Sequence, residues 1–75
     1  MTLDTLLPGA SGRIGAVNGE PALVQRLYEL GLLEGEMVEV LAIAPLGDPL
    51  EIRCGGARLS LRKSEAAGVS LVNHS

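Results

Sequence analysis

The Gly55-Gly56 pair constrains this chain most. It separates two short runs, Leu50 to Cys54 and Ala57 to Arg62, in which apolar and polar residues alternate. Two adjacent glycines between alternating runs predict a tight hairpin. Taken literally, the turn opposes Ile52 to Leu59 and Leu50 to Leu61. Apolar residues then meet apolar residues, so turn chemistry and side-chain alternation agree on one register. The same register sets Arg53 against Arg58 on the outward face, an unfavourable like-charge pair that Glu51 is near enough to relieve.

The rest of the chain is punctuated in the same way. Glycines and prolines recur throughout, which predicts many short elements. Thr2 to Leu7 reads as one helical turn, with Thr2 as N-cap and Leu3, Leu6 and Leu7 on one face. Pro8-Gly9 ends it. Gly12 to Val17 reads as a strand, with Ile14 and either Val17 or Ala16 inward. Asn18-Gly19 is a turn. Glu20 to Leu30 is the one substantial helix. Pro21 suits its first turn, Glu20 its positive end, and Leu23, Leu27 and Leu30 form its stripe. Gly31 is the expected residue just past its C-terminus, Leu32-Leu33 then re-enters the core, and Glu34-Gly35 turns the chain again. Met37 to Ala44 is a central strand, apolar at nearly every position apart from Glu39, which predicts partial cover on both faces. Pro45 to Pro49 is a loop with proline at each end. Lys63 to Ala67 makes a helical turn closed by Gly68, and Val69 to Asn73 a last strand. About five short antiparallel strands with one inserted α-helix predict a mainly β chain bent into a small barrel. An OB-fold is the competing barrel, with strands usually longer than these.

A chain of 75 residues supports a single domain, 1–75. With 47% hydrophobic and 20% charged residues it folds around an aliphatic core. Phe and Trp are absent and Tyr28 is the one aromatic residue. A row of aromatic side chains for Pro-rich peptides, or a stacking platform for single-stranded nucleic acid, cannot be built from one ring. A net charge of −3 gives no general attraction to nucleic acid or to an anionic membrane. The one cysteine excludes an internal disulfide. No signal peptide is visible, and the longest apolar stretch, Val40 to Leu46, is too short to span a bilayer, so no membrane insertion is expected. The expected compartment is the cytoplasm.

Chemistry-bearing residues are few. Cys54 falls on the inward face with Leu50 and Ile52, as an inert buried thiol. His74 lies in the tail. One Cys and one His, 20 positions apart, with scattered acidic residues, make no metal-ligand pattern, and no catalytic pair. Gly9, Gly12 and Gly15 lack the Gly-Lys-Ser/Thr that a phosphate loop requires. The expectation is therefore no enzyme, no cofactor, and no catalytic or metal site. Arg53, Arg58, Arg62 and Lys63 form a small basic group, read either as a solvated sheet face or as a patch for an acidic partner surface.

Several segments together resemble one family. Arg26-Leu27-Tyr28-Glu29-Leu30-Gly31-Leu32, then Gly35, then Val38-Glu39-Val40, then Ala44-Pro45-Leu46-Gly47-Asp48-Pro49 resemble FeoA, the small cytosolic accessory protein of bacterial ferrous iron transport. Leu3-Asp4-Thr5-Leu6 with Gly9, Gly12 and Ile14 is similar to the family's opening. Leu59-Ser60-Leu61-Arg62 with Glu65-Ala66 is similar to its closing hairpin and turn. The resemblance implies an SH3-like barrel and a role in iron uptake. The implied partner is the cytosolic part of FeoB, a membrane permease with a GTP-binding domain. It also carries a general family association with transition-metal binding, for which this chain shows no ligand set. The chain departs from the family at the start of its helix, where Ala22-Leu23-Val24-Gln25-Arg26 holds a single Arg, so no basic helix face is expected. The competing reading is a free-standing SH3-like regulatory domain related to the C-terminal domain of metal-dependent repressors, although no DNA-binding helix pair is evident.

The expected function is thus partner binding, and two places are candidates. Pro45, Leu46, Gly47, Asp48 and Pro49 form a loop whose prolines reduce the entropy lost on binding. Its Leu46 either stands out as an apolar anchor or folds back to cap the barrel. The end of the helix, Tyr28 to Leu32, is the second candidate, with Tyr28 off the leucine stripe as its anchor. Gly31, Gly35, Gly55 and Gly56 are expected as structural turn glycines. Exposed strand edges leave weak pairing with a copy of itself open.

Overall fold

The computed structural model describes residues 1–72. A 3-10 turn, Leu3–Thr5, precedes β1 (Ser11–Val17), α1 (Pro21–Glu29), β2 (Met37–Ile43), β3 (Leu50–Cys54), β4 (Ala57–Leu61), α2 (Lys63–Ala66) and β5 (Val69–Val72). The five strands form one antiparallel sheet in the order β4-β3-β2-β1-β5. The hairpin takes the register that Gly55-Gly56 dictates, with Ile52 opposite Leu59 and Leu50 opposite Leu61.

Two register shifts bend the sheet. One lies in β1 between Ile14 and Ala16, the other in β2 between Val40 and Ala42. A bulge inserts one unpaired residue and increases local twist. The shift at Gly15 also decides which residues of β1 face inward. Ile14 and Val17 are three apart, yet both are buried, and Ala16 is only half-buried.

The curved sheet encloses one aliphatic core. Leu3, Leu27, Leu32, Val40, Ile52, Leu61, Ala66 and Val69 are completely buried in it. Leu32 enters the core because α1 ends in a Schellman motif. The Gly31 N–H donates to the Tyr28 carbonyl at 3.0 Å and the Leu32 N–H to the Leu27 carbonyl at 3.0 Å. Gly31, at φ 100°, takes the left-handed conformation that this reversal needs. Gly35, Gly55 and Gly56 also hold positive φ.

Four expectations are corrected. Leu30 is 38% exposed, because α1 ends at Glu29 and the chain reverses there, with Leu32 entering the core. Leu7 is 72% exposed. The first turn is 3-10, where positions three apart eclipse, so Leu3 and Leu6 pack inward and Leu7 points away. Thr2 makes no side-chain cap bond to that turn. Leu33, expected to re-enter the core beside Leu32, is 45% exposed. Strand β2 is partly covered on both faces, with Leu41 and Ile43 half-buried. Val38 and Val40 are buried, whereas Met37 and Ala42 are exposed. Element ends also move slightly: β4 stops at Leu61, with Arg62 capping α2, and α2 stops at Ala66. Asn73, expected in the last strand, lies outside the described residues.

Candidate functional site

The loop after β2 is short and internally tied. The Gly47 N–H donates to the Ala44 carbonyl at 2.7 Å, and the Ala44 N–H to the Pro49 carbonyl at 3.1 Å. Gly47 adopts φ 90°, and the Asp48-Pro49 peptide is cis. The loop is also tied at a distance. The Asp48 carboxylate accepts the backbone N–H of Lys63 at 2.9 Å, so the start of α2 holds the base of the loop. At its tip Leu46 is 97% exposed. Of the two readings the sequence left open, the apolar side chain in solvent is the one the fold adopts.

The loop base forms one wall of an open groove. Arg26 of α1, Asp48 and Pro49 of the loop, Ser60 of β4, and Arg62 and Glu65 at α2 line it. Arg26 and Glu65 form an ion pair across it. Glu65 also accepts the Arg62 N–H at 2.9 Å, which fixes the first turn of α2. Arg26 and Glu65 stand 39 positions apart in sequence. Their meeting depends on how α1 lies over the end of the sheet, which no local pattern records.

Tyr28 stands elsewhere. It is two positions from Arg26 on α1, and residues two apart on a helix do not share a face. Its hydroxyl donates to Glu34 Oε2 at 2.6 Å. That bond raises the tyrosine pKa, and it lowers that of Glu34, whose charged form it stabilises. Leu30 and Leu33 are part-exposed beside it in sequence. No hydrogen bond or ion pair links Tyr28 to the Pro45–Pro49 loop among the described residues.

The basic group is divided by its partners. Arg58 pairs with Glu51 at 2.6 Å and Arg53 with Glu39 at 3.5 Å, so each opposed arginine has its own carboxylate. Arg62 and Lys63 form no ion pair among the described residues.

Cys54 is buried, and its thiol donates to the Gly31 carbonyl at 3.6 Å. Burial raises its pKa, with the Glu36 carboxylate adding to the effect, so the thiolate that would ligate a metal is disfavoured. Among the described residues, no three His, Cys, Asp or Glu side chains converge. The described residues thus bring together no ligand set of the kind that transition-metal sites use. His74 lies outside the described residues. No helix among them is long and apolar enough to cross a membrane.

The FeoA domain model matches residues 1–72. This chain belongs to the FeoA family. Its fold is the SH3-like barrel of that family. A curated relative from Porphyromonas gingivalis, an Fe(2+) transport protein A/Fe(2+) transporter FeoB fusion protein, is 32% identical over 71 residues. The match covers 95% of this chain but only 8% of that relative's length. Among solved structures, the FeoA protein from Chlorobium tepidum is 42% identical, with a TM-score of 0.89, over 95% of this chain and 68% of that one. FeoA from Stenotrophomonas maltophilia, described as complexed with zinc and as a prokaryotic SH3 domain protein, is 37% identical. Its TM-score is 0.84, over 96% of this chain and 89% of that one. A manganese-dependent transcriptional repressor shares the fold, with a TM-score of 0.88 at 16% identity over 99% of this chain and 41% of that one. The family is a small accessory domain associated with ferrous iron transport.

Proposed function

We propose that this FeoA-family chain is a docking module of ferrous iron uptake. It binds the cytosolic part of a FeoB-type permease, acts in the cytoplasm, and works without catalysis or a resident metal. The observation that carries this reading is the Porphyromonas gingivalis fusion, where a segment 32% identical to this chain shares a polypeptide with the transporter. Covalent linkage raises the effective concentration of one module at the other, which is useful when the two bind each other.

The exposed Leu46 supports the choice of surface. A large aliphatic side chain held in water by a tied loop loses little entropy when a partner covers it. Asp48 and Pro49 continue that surface into the groove lined by Arg26, Ser60, Arg62 and Glu65. Tyr28 is a separate, secondary contact. The likeness to metal-dependent repressors is one of fold and supplies no partner.

A pull-down with the permease's cytosolic region tests the proposal. Capture by the wild-type chain is expected, weakened about tenfold by Leu46→Ser, in the range of an interface anchor. No capture at high micromolar concentration, with or without guanine nucleotide, would sink it.

A further inference from the structure

Strand β4 ends the sheet, and its turn determines which backbone groups it has to spare. Across Gly55-Gly56 the facing pairs are Cys54 and Ala57, Arg53 and Arg58, Ile52 and Leu59, Glu51 and Ser60, Leu50 and Leu61. A two-residue hairpin opens on a hydrogen-bonded pair, and bonded and unbonded pairs then alternate. Ala57, Leu59 and Leu61 therefore spend their backbone groups on β3. Arg58 and Ser60 direct theirs outward. Neither makes a backbone bond outside the hairpin among the described residues. The other end of the sheet is covered: the Leu71 N–H donates to the Met1 carbonyl at 2.8 Å, and Thr2 bridges Ser70. The open edge is β4.

The side chains along this edge give it a chemical preference. Arg58, Ser60 and Arg62 are exposed at alternate positions, and Ser60 and Arg62 line the groove beside the loop. In a strand added to β4, the residue opposite Ser60 has Arg58 and Arg62 as diagonal neighbours, within reach of a long side chain. Arg62 has no ion-pair partner among the described residues. We propose that β4 accepts an extended acidic segment of a partner protein as an added strand, with an Asp or Glu seated opposite Ser60 between Arg58 and Arg62. This deepens the docking reading above and rests on it.

A second copy of the chain fits this edge poorly. The self-register that uses all four free backbone groups sets Arg58 of one copy opposite Ser60 of the other. A further guanidinium would then stand between Arg58 and Arg62. Centring the pair on Arg58 opposes two arginines directly. Centring it on Ser60 calls on Arg62, whose N–H is held by Glu65 and whose carbonyl accepts the N–H groups of Glu65 and Ala66.

Amide hydrogen exchange at Arg58 and Ser60, followed by NMR, tests this. The probes are a soluble peptide of alternating Val and Glu and its counterpart with Lys for Glu. The acidic peptide is expected to slow exchange at both amides by about fivefold or more, and the basic one not at all. The effect weakens with added salt. Ser60→Pro removes the edge donor at a position where an edge strand tolerates proline, and abolishes protection. Arg62→Glu reverses the preference. Unchanged exchange at millimolar acidic peptide overturns the proposal, as does equal protection by both peptides. Protection that rises with protein concentration alone signals self-pairing and also overturns it. If both variants capture the permease's cytosolic region as wild type does, the edge inference fails and the docking reading stands. If the acidic peptide protects the edge but the permease is not captured, the edge chemistry holds and the permease is removed as its partner.

Discussion

Leu46 and Leu27 show how differently one residue type is used in this chain. Leu27 is completely buried and Leu46 almost completely exposed. Leu27→Ala should cost about 2–5 kcal/mol in chemical denaturation, because a cavity replaces a packed side chain. Leu46→Ser should leave stability within about 0.5 kcal/mol and lower only partner affinity. An equal loss of stability at both positions would show that Leu46 is a core residue. Tyr28 and Glu34 give a pH signature. The hydroxyl bond holds the Glu34 carboxyl below its usual range. Its stabilising contribution is therefore full above about pH 4.3 and lost as pH falls through the lowered folded value. Tyr28, raised by the same bond, contributes below about pH 10, and that contribution is lost as pH rises through its raised folded value. NMR titration of Tyr28→Phe should move the Glu34 pKa upward, and an unchanged value would exclude the bond as its cause. Burial at this scale was readable where one period governs, as for Cys54 following Leu50 and Ile52 at two-residue spacing. It was unreadable for Leu46, since two prolines fix the path of a loop without saying which way its tip side chain turns.

At the scale of elements, two joints hold the site in place. Asp48 ties the loop to α2 through the Lys63 N–H. Asp48→Ala should cost about 1 kcal/mol, comparable to loss of a helix-cap acceptor, measured as a shift in the urea midpoint. The second joint is where α2 leads into β5. A Cβ on Gly68 would lie 2.2 Å from the Asn18 carbonyl oxygen, a backbone atom that cannot swing aside. Gly68→Ala should therefore destabilise strongly, although the position reads from sequence as an ordinary helix stop. Thermal melting of that variant near wild type would contradict the packing. The hairpin, α1 and the turn glycines were legible because each is governed by neighbours in sequence. The bulge at Gly15, the 3-10 form of the first turn and the exposure of Leu30 were not. Each is settled by which side chain wins a place in a shared core, and that competition involves residues far apart in the chain.

At the scale of the molecule, a bent five-stranded sheet closes over an aliphatic core and ends at the open edge of β4. There the loop from Pro45 to Pro49, the groove beside it and the open edge of β4 adjoin one another. The barrel and its family were legible from the order of short motifs. The groove was not, because Arg26, Asp48, Ser60 and Glu65 come from four separate elements. The central claim is that this end of the barrel meets the permease. Amide chemical-shift mapping on addition of the permease's cytosolic region tests it most directly. The largest shifts are expected at Leu46, Gly47 and Asp48 and along β4 at Arg58 and Ser60, with smaller ones at Tyr28. A spectrum that does not change, or shifts confined to other surfaces, would contradict the account.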